Sequence, residues 1–260
     1  MASAYRGPVA ATLALPRSVL LALWLTASGE PDPVAAAVQD DDEPHTVDAD
    51  GETLDLRDWV RWLGGPAAEV AALLPVPGEP VAAPPAVSGA AVDAGECVLL
   101  RSASRTLAAV PEVERFGSDL EPGHLVTWHV REVPEWQTAV WAQIGTLEDA
   151  ERELRQGLLT ATEALVQLGV ERWRPDAAES IAHVRDGALP ERRLPRGVQP
   201  QRLRVLSSAA RLRGIVALAS QDDGGAVNTW QADQRATALR EVDRVARRAM
   251  AAAATYLARS

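Results

Sequence analysis

The last sixty residues, 201–260, read as two helices folded against each other, and the rest of the chain must supply the surface on which they pack. Pro200 suits the first turn of a helix, where a missing N–H costs nothing, and Leu203, Leu206, Ala209, Ala210, Leu212, Val216 and Ala219 follow at three- and four-residue steps. Asp222-Asp223-Gly224-Gly225 ends that run, because glycine takes the left-handed conformation that closes a helix. Asn228 and Gln231, three residues apart, then form a capping-box-like restart. The second apolar stripe includes Trp230, Ala236, Leu239, Val242, Ala246, Ala249, Ala253 and Leu257, with Arg240, Arg244 and Arg248 aligned on the opposite face. So short a connection predicts antiparallel neighbours.

Arg213 breaks the pattern. At about 100° per residue it falls near the centre of the first helix's apolar arc. An unpaired guanidinium buried there costs several kcal/mol, so it must reach water, pair with a carboxylate or bind an anion.

Charge is divided along the chain. The net −10 splits into ten arginines against five acids in residues 201–260, and sixteen arginines against thirty-one acids in residues 1–200. An acidic N-terminal portion facing a basic helical hairpin, within one chain or across a dimer, follows from that division. The acids concentrate at 40–52, which holds seven of them and no base. There Asp48-Ala49-Asp50-Gly51 has the look of a calcium loop, but with Gly51 at the loop's sixth position Thr46 and Arg57 fall where the first aspartate and the bidentate glutamate belong. A strand-turn-strand hairpin is expected instead, with no metal.

All 26 basic residues are arginine. That excludes a P-loop lysine, Schiff-base chemistry and a lysine general base. Cys97 is the one cysteine, so neither an intrachain disulfide nor a multi-cysteine zinc site can form. It stands in a strand-like run, where a buried inert thiol and a reducing, cytoplasmic setting are expected. Hydrophobic residues at 47% and charged residues at 24% fit neither a disordered nor a membrane protein.

In chain order, Val19–Leu25 is the most apolar run and is shorter than the roughly twenty residues a bilayer requires. Ser18 as a cap, and Asp32-Pro33 as a second helix start, predict two packed N-terminal helices rather than a cleaved leader. Asp55 caps a helix over 56–63, and another short helix is expected over 67–74. Residues 75–95 contain five prolines and read as an extended linker, dividing the chain into 1–74, a linker 75–95 and 96–260. Strands are predicted over 97–101, 106–110 and 125–133, with His124 and His129 on opposite faces and unable to share a metal. Thr146 and Asp149 open a helix reaching about 168, and a shorter helix over 176–186 carries Glu179 and His183 four residues apart. The expected fold is α+β: a small antiparallel sheet covered by a C-terminal helical bundle, with a small, mostly helical N-terminal module.

No glycine-rich phosphate cradle, nucleophile elbow or metal-spaced histidine set appears. Three functional readings follow. The leading one is a non-catalytic intracellular interaction or regulatory protein without cofactor or membrane contact, meeting a protein partner or a second copy through the C-terminal helices. The second is an anion or nucleic-acid binder using Arg192, Arg193, Arg196, Arg202 and Arg204, five arginines within thirteen residues, with Arg213 as a further anion ligand. The acidity of the rest of the chain disfavours nucleic acid. The third is an enzyme in which Glu179 and His183 perform acid–base work and Arg213 clamps an anion.

Overall fold

A helix that is apolar on every side has to be buried, and Arg17–Ala27 (α1) is such a helix: Val19, Leu20, Leu21, Ala22, Leu23 and Leu25 have no exposed surface. The computed structural model describes residues 12–79, 82–102, 105–118, 121–167, 183–220 and 229–258. In it α1 lies across three strands, Glu69–Leu73 (β3), Cys97–Arg101 (β4) and Thr106–Gly117 (β5). Glu96 accepts the Ser18 N–H at 2.8 Å and so meets the positive end of α1. Burial pushes its carboxyl up in pKa, against the opposing pull of that N–H and of the Arg17 and Arg213 charges.

Pro31–Gln39 (α2) packs on α1 and on Leu56–Leu63 (α3), so the two N-terminal helices form as expected. Gly29 makes the corner between α1 and α2. With φ at 61° and an added Cβ only 2.7 Å from the Gly65 carbonyl carbon, no other residue fits where this corner meets the end of α3. At the other end of α3 the Asp55 carboxylate accepts the Asp58 N–H at 2.6 Å, the predicted cap.

With Thr46–Ala49 (β1), Glu52–Asp55 (β2) and Pro122–Glu132 (β6), the sheet has six strands among the described residues, in the order β2-β1-β6-β5-β4-β3. Strands β3 to β6 form an antiparallel meander. Strands β1 and β2 are the predicted acidic hairpin, and β1 adds to β6 in parallel, which makes the sheet mixed and larger than expected. The helix predicted over 67–74 is instead strand β3. Its alanines favour helix weakly, but α1 beside it and β4 pairing along it bury all five of its residues, and burial outweighs propensity. The outer edge of β3 is closed as well: Val70 and Tyr256 exchange both backbone hydrogen bonds, at 2.9 and 2.8 Å.

Strand β5 continues through Pro111 to Gly117, well beyond the predicted end at 110. Pairing with β4 stops at Ala109, so Pro111 sits where β5 has a neighbour, β6, on one side alone. In the projecting part the Phe116 ring lies directly over Gly123 across the strand pair, so the exposed aromatic covers bare backbone. Residues 75–95, read from composition as a linker, hold Ser88–Ala94 (α4), which packs on β5.

The helical half comprises Gln137–Ile144 (α5), Leu147–Gln167 (α6), Pro200–Ser220 (α7) and Thr229–Ala253 (α8). Thr146 and Asp149 cap α6 as predicted: the Thr146 hydroxyl accepts the Asp149 N–H at 3.0 Å and donates to its carboxylate at 2.8 Å. Helix α8 packs on α7, α6 and α5 and reaches β3, and Ala246, Ala249 and Met250 on it have no exposed surface. The C-terminal helices thus cover one edge of the sheet. The α7–α8 connection and most of the helix expected over 176–186, Glu179 included, lie outside the described residues. Among the described residues no helix is long and apolar enough to cross a membrane.

His45 is sealed into the core beside Trp128. The indole N–H can only donate, and it points at His45 Nδ1 at 3.2 Å, so the imidazole proton sits on Nε2 and faces Asp42 at 3.3 Å. Burial drives the His45 pKa from the ordinary 6.5 to about 4, although Asp42 pulls the other way. For Asp42, burial acts to raise the pKa, but Arg17 at 2.6 Å, helped by His45, holds it below the ordinary carboxylate value. The unfolded chain therefore binds a proton at His45 near pH 6.5 that the folded chain refuses until about pH 4. Stability from this group is fully present above the first value and is lost as pH falls through that window. The urea midpoint is expected to drop between pH 7 and 4, and His45→Gln, which still accepts from Trp128 but does not titrate, is expected to flatten that part of the profile.

Candidate anion-binding cleft

The arginines predicted to form a basic patch are not presented together as free guanidiniums. Arg193 donates to the Ala37 and Val38 carbonyls at 2.8 and 3.2 Å and pairs with Asp40 at 2.9 Å, at the carboxyl end of α2. Arg202 donates to the Ala252, Ala253 and Thr255 carbonyls at the end of α8 and stacks on the Tyr256 ring at 3.8 Å. Arg192, Arg196 and Arg204 are exposed. Two of the five residues are therefore committed to helix ends, where unpaired carbonyls and the negative pole of the helix attract a cation.

The same device recurs. Arg248 donates to Ile144 O at the end of α5, at 3.1 Å, and Arg235 to Ala219 O at the end of α7, at 2.8 Å. None of α2, α5, α7 and α8 has a basic residue in its own last turn.

Of the acid–base candidates, His183 is exposed on a helical turn whose Val184 packs against Gly214. The Arg213 guanidinium goes elsewhere, to Asp243 on α8, with Nε at 3.5 Å: an ion pair with no hydrogen bond. His124 and His129 sit on opposite faces, as read from the strand, the first on Asp42 and the second between Asp48 and Glu112. Cys97 is buried, and burial with the Glu96 charge pushes its thiol up to about 12, so it is inert. Among the described residues no group of three metal-binding side chains converges.

What does converge is a set of arginines on α8, of which Arg240 and Arg244 belong to the row read from the sequence. Between α7, α8 and the segment after β3 lies a cleft of about 880 Å³. Val76, Pro77, Val216, Ala219 and Leu239 give it an apolar lining, and Arg235, Arg240, Arg244 and Arg247 project into it from α8. A smaller cavity of about 190 Å³ shares Glu79, Arg244 and Arg247 with it and adds Arg248.

Arg247 builds the cleft rather than serving it. It is buried, and donates to Asp243 at 2.6 Å, to Leu74 O at 2.8 Å and to Glu79 at 2.6 Å, tying the segment after β3 to α8. Arg244 makes a two-pronged contact with Glu241, at 2.9 and 2.5 Å, and this contact holds the Glu241 carboxyl below the usual carboxylate pKa. Arg240 donates only to the Thr237 hydroxyl at 2.9 Å and makes no ion pair among the described residues. The alignment of Arg240, Arg244 and Arg248 was legible in the four-residue spacing; the Asp243–Arg247 pair has the same spacing and came from the structure. Glu79 was not, because nothing in a proline-rich stretch marks an ion-pair partner far along the chain.

A six-stranded mixed sheet with one buried helix across it, joined to a helical unit that closes a basic cleft, defines an α+β protein of two parts. The chain belongs to the Rv1486c-like proteins: the family's N-terminal domain matches residues 18–143 and its C-terminal domain residues 148–251. No curated protein and no solved structure matches it. The family boundary falls between α5 and α6, so Val76 to Glu79 belong to the first domain and α7 and α8 to the second. The cleft lies at their junction.

Arg247→Met keeps the volume but strands Glu79 and the Leu74 carbonyl and leaves Asp243 with Arg213 alone, and is expected to cost about 3–5 kcal/mol in equilibrium urea unfolding. Arg213→Leu, removing a partly exposed pair in an apolar arc, is expected to change stability by less than about 1 kcal/mol in the same measurement.

Proposed function

We propose that this protein is a non-catalytic regulatory protein that binds an anionic small molecule in the cleft where its two domains meet. The observation that carries this reading is the lining: guanidiniums from one helix facing apolar side chains inside about 880 Å³. Small-molecule sites occupy about 300–1,000 Å³, favour domain junctions, and combine apolar walls with a few placed polar groups.

The side chains in the cleft support binding over catalysis. Its carboxylates each hold an arginine already, Glu79 and Asp243 on Arg247 and Glu241 on Arg244. Neither histidine nor cysteine is among its described lining residues. A ligand touching both domains stabilises their packing, and a partner that reads that packing would sense the ligand. The interaction role expected from the charge division then becomes the output of the same site.

The experiment is thermal unfolding of the full chain against a panel of small organic anions at constant ionic strength. A saturating ligand is expected to raise Tm by about 5–10 °C, the shift that mass action gives a chain of this size. Arg240→Ala combined with Arg244→Ala is expected to remove that rise. A panel in which no anion exceeds the chloride control defeats the reading.

A further inference from the structure

Among the described residues four arginines line the larger cavity, and their present bonds decide which of them a ligand can reach. Arg247 is buried with all three nitrogens donating to protein acceptors, and Arg235 is held on the Ala219 carbonyl. Arg240 and Arg244 remain. They stand four residues apart on α8, one turn of helix, a spacing that places their side chains on the same face, and both line the cavity.

Arg244 is not vacant, because Glu241 grips it with both carboxylate oxygens. This is the contact that a ligand carboxylate or phosphate would make with the same guanidinium. The Glu241 side chain is 57% exposed, so it can turn into water at little cost, as exposed ion pairs contribute little. The same cavity is lined by Val76, Pro77, Val216 and Leu239, which offer nothing to a small hydrated ion. An inorganic anion would leave that wall uncovered, whereas an alkyl or aryl group would remove it from water.

Resting on the cleft reading above, we infer that the ligand is an amphiphilic anion, an apolar body with a carboxylate or phosphate head, and that its head displaces Glu241 from Arg244 while also engaging Arg240. Glu241 is then an internal stand-in for the ligand: it keeps the guanidinium partnered when the cleft is empty and sets the concentration at which the cleft fills.

The test uses isothermal titration of the full chain with octanoate, octyl phosphate, inorganic phosphate and octanol at constant ionic strength. One of the two octyl anions is expected to bind at least about tenfold tighter than inorganic phosphate or octanol, and which one it is assigns the head group. Glu241→Gln, which removes the competing charge, is expected to tighten that binding about threefold to fivefold, the scale of an exposed ion pair. Arg244→Gln is expected to weaken it by about tenfold or more. A gain of affinity in Glu241→Gln cannot come from misfolding, so it separates the exchange from a fold defect. If neither octyl anion binds more tightly than both octanol and inorganic phosphate, the amphiphile is overturned. Unchanged affinity in Glu241→Gln together with a loss in Arg244→Gln overturns the exchange and leaves the anion site standing. If neither octyl anion binds the parent chain or Glu241→Gln, by heat or by a rise in Tm, this inference is overturned, while a rise in Tm with another organic anion leaves the cleft reading standing.

Discussion

Helices end in carbonyls that lack an intrahelical donor, and in this protein the donors come from arginines elsewhere in the chain. Arg193 reaches α2 across 156 positions, Arg248 reaches α5 across 104, Arg202 reaches α8 across 51 and Arg235 reaches α7 across 16. Because none of these helices carries a cation in its own last turn, each end is completed by a tertiary contact. Arginine suits the task, since its planar fork presents several N–H groups to neighbouring carbonyls while keeping its charge at the helix's negative pole. A chain whose 26 basic residues are all arginine can use this device repeatedly.

The consequence for function is subtractive. Guanidiniums committed to carbonyls are not available to outside anions, which is why the richest arginine stretch, 192–204, contributes fewer free cations than its composition implies. The segment after β3 shows the same logic in a different setting. Arg247 holds Leu74 and Glu79 against α8, and by fixing that segment at a distance from α7 it leaves the cleft between them. Arg240 and Arg244 line that opening with their guanidiniums uncommitted to carbonyls. The Arg247–Glu79 ion pair carries the charge division across the two family domains, beside this cleft.

Several elements resisted reading for identifiable reasons. The segment at 67–74 carries helix-favouring alanines, yet it lies between α1 and the C-terminal segment and is paired to β4, so long-range burial chose strand. The strand expected over 106–110 runs on through Pro111, because a strand with one neighbour at that point tolerates proline. The prolines of 75–95 resembled a linker because composition reports local stiffness and says nothing about whether the chain on either side joins one sheet. Arg213 was recognisable as an intruder in an apolar face, and its need for a carboxylate was deducible; Asp243 as the partner was not.

By itself the sequence determined the elements whose information is local: the caps at Asp55 and Thr146, the buried run of α1, the acidic hairpin, the inert Cys97, the opposed histidines and the amphipathic pair α7 and α8. These depend on neighbours within a few residues, where periodicity and capping chemistry act. Only the tertiary structure decided the parallel joining of β1 to β6, the strand identity of 69–73, the arginine assigned to each helix end and the cleft between the domains. Each of those pairs groups far apart in the chain, and the free energy that selects them comes from burial and charge compensation, which local pattern does not encode.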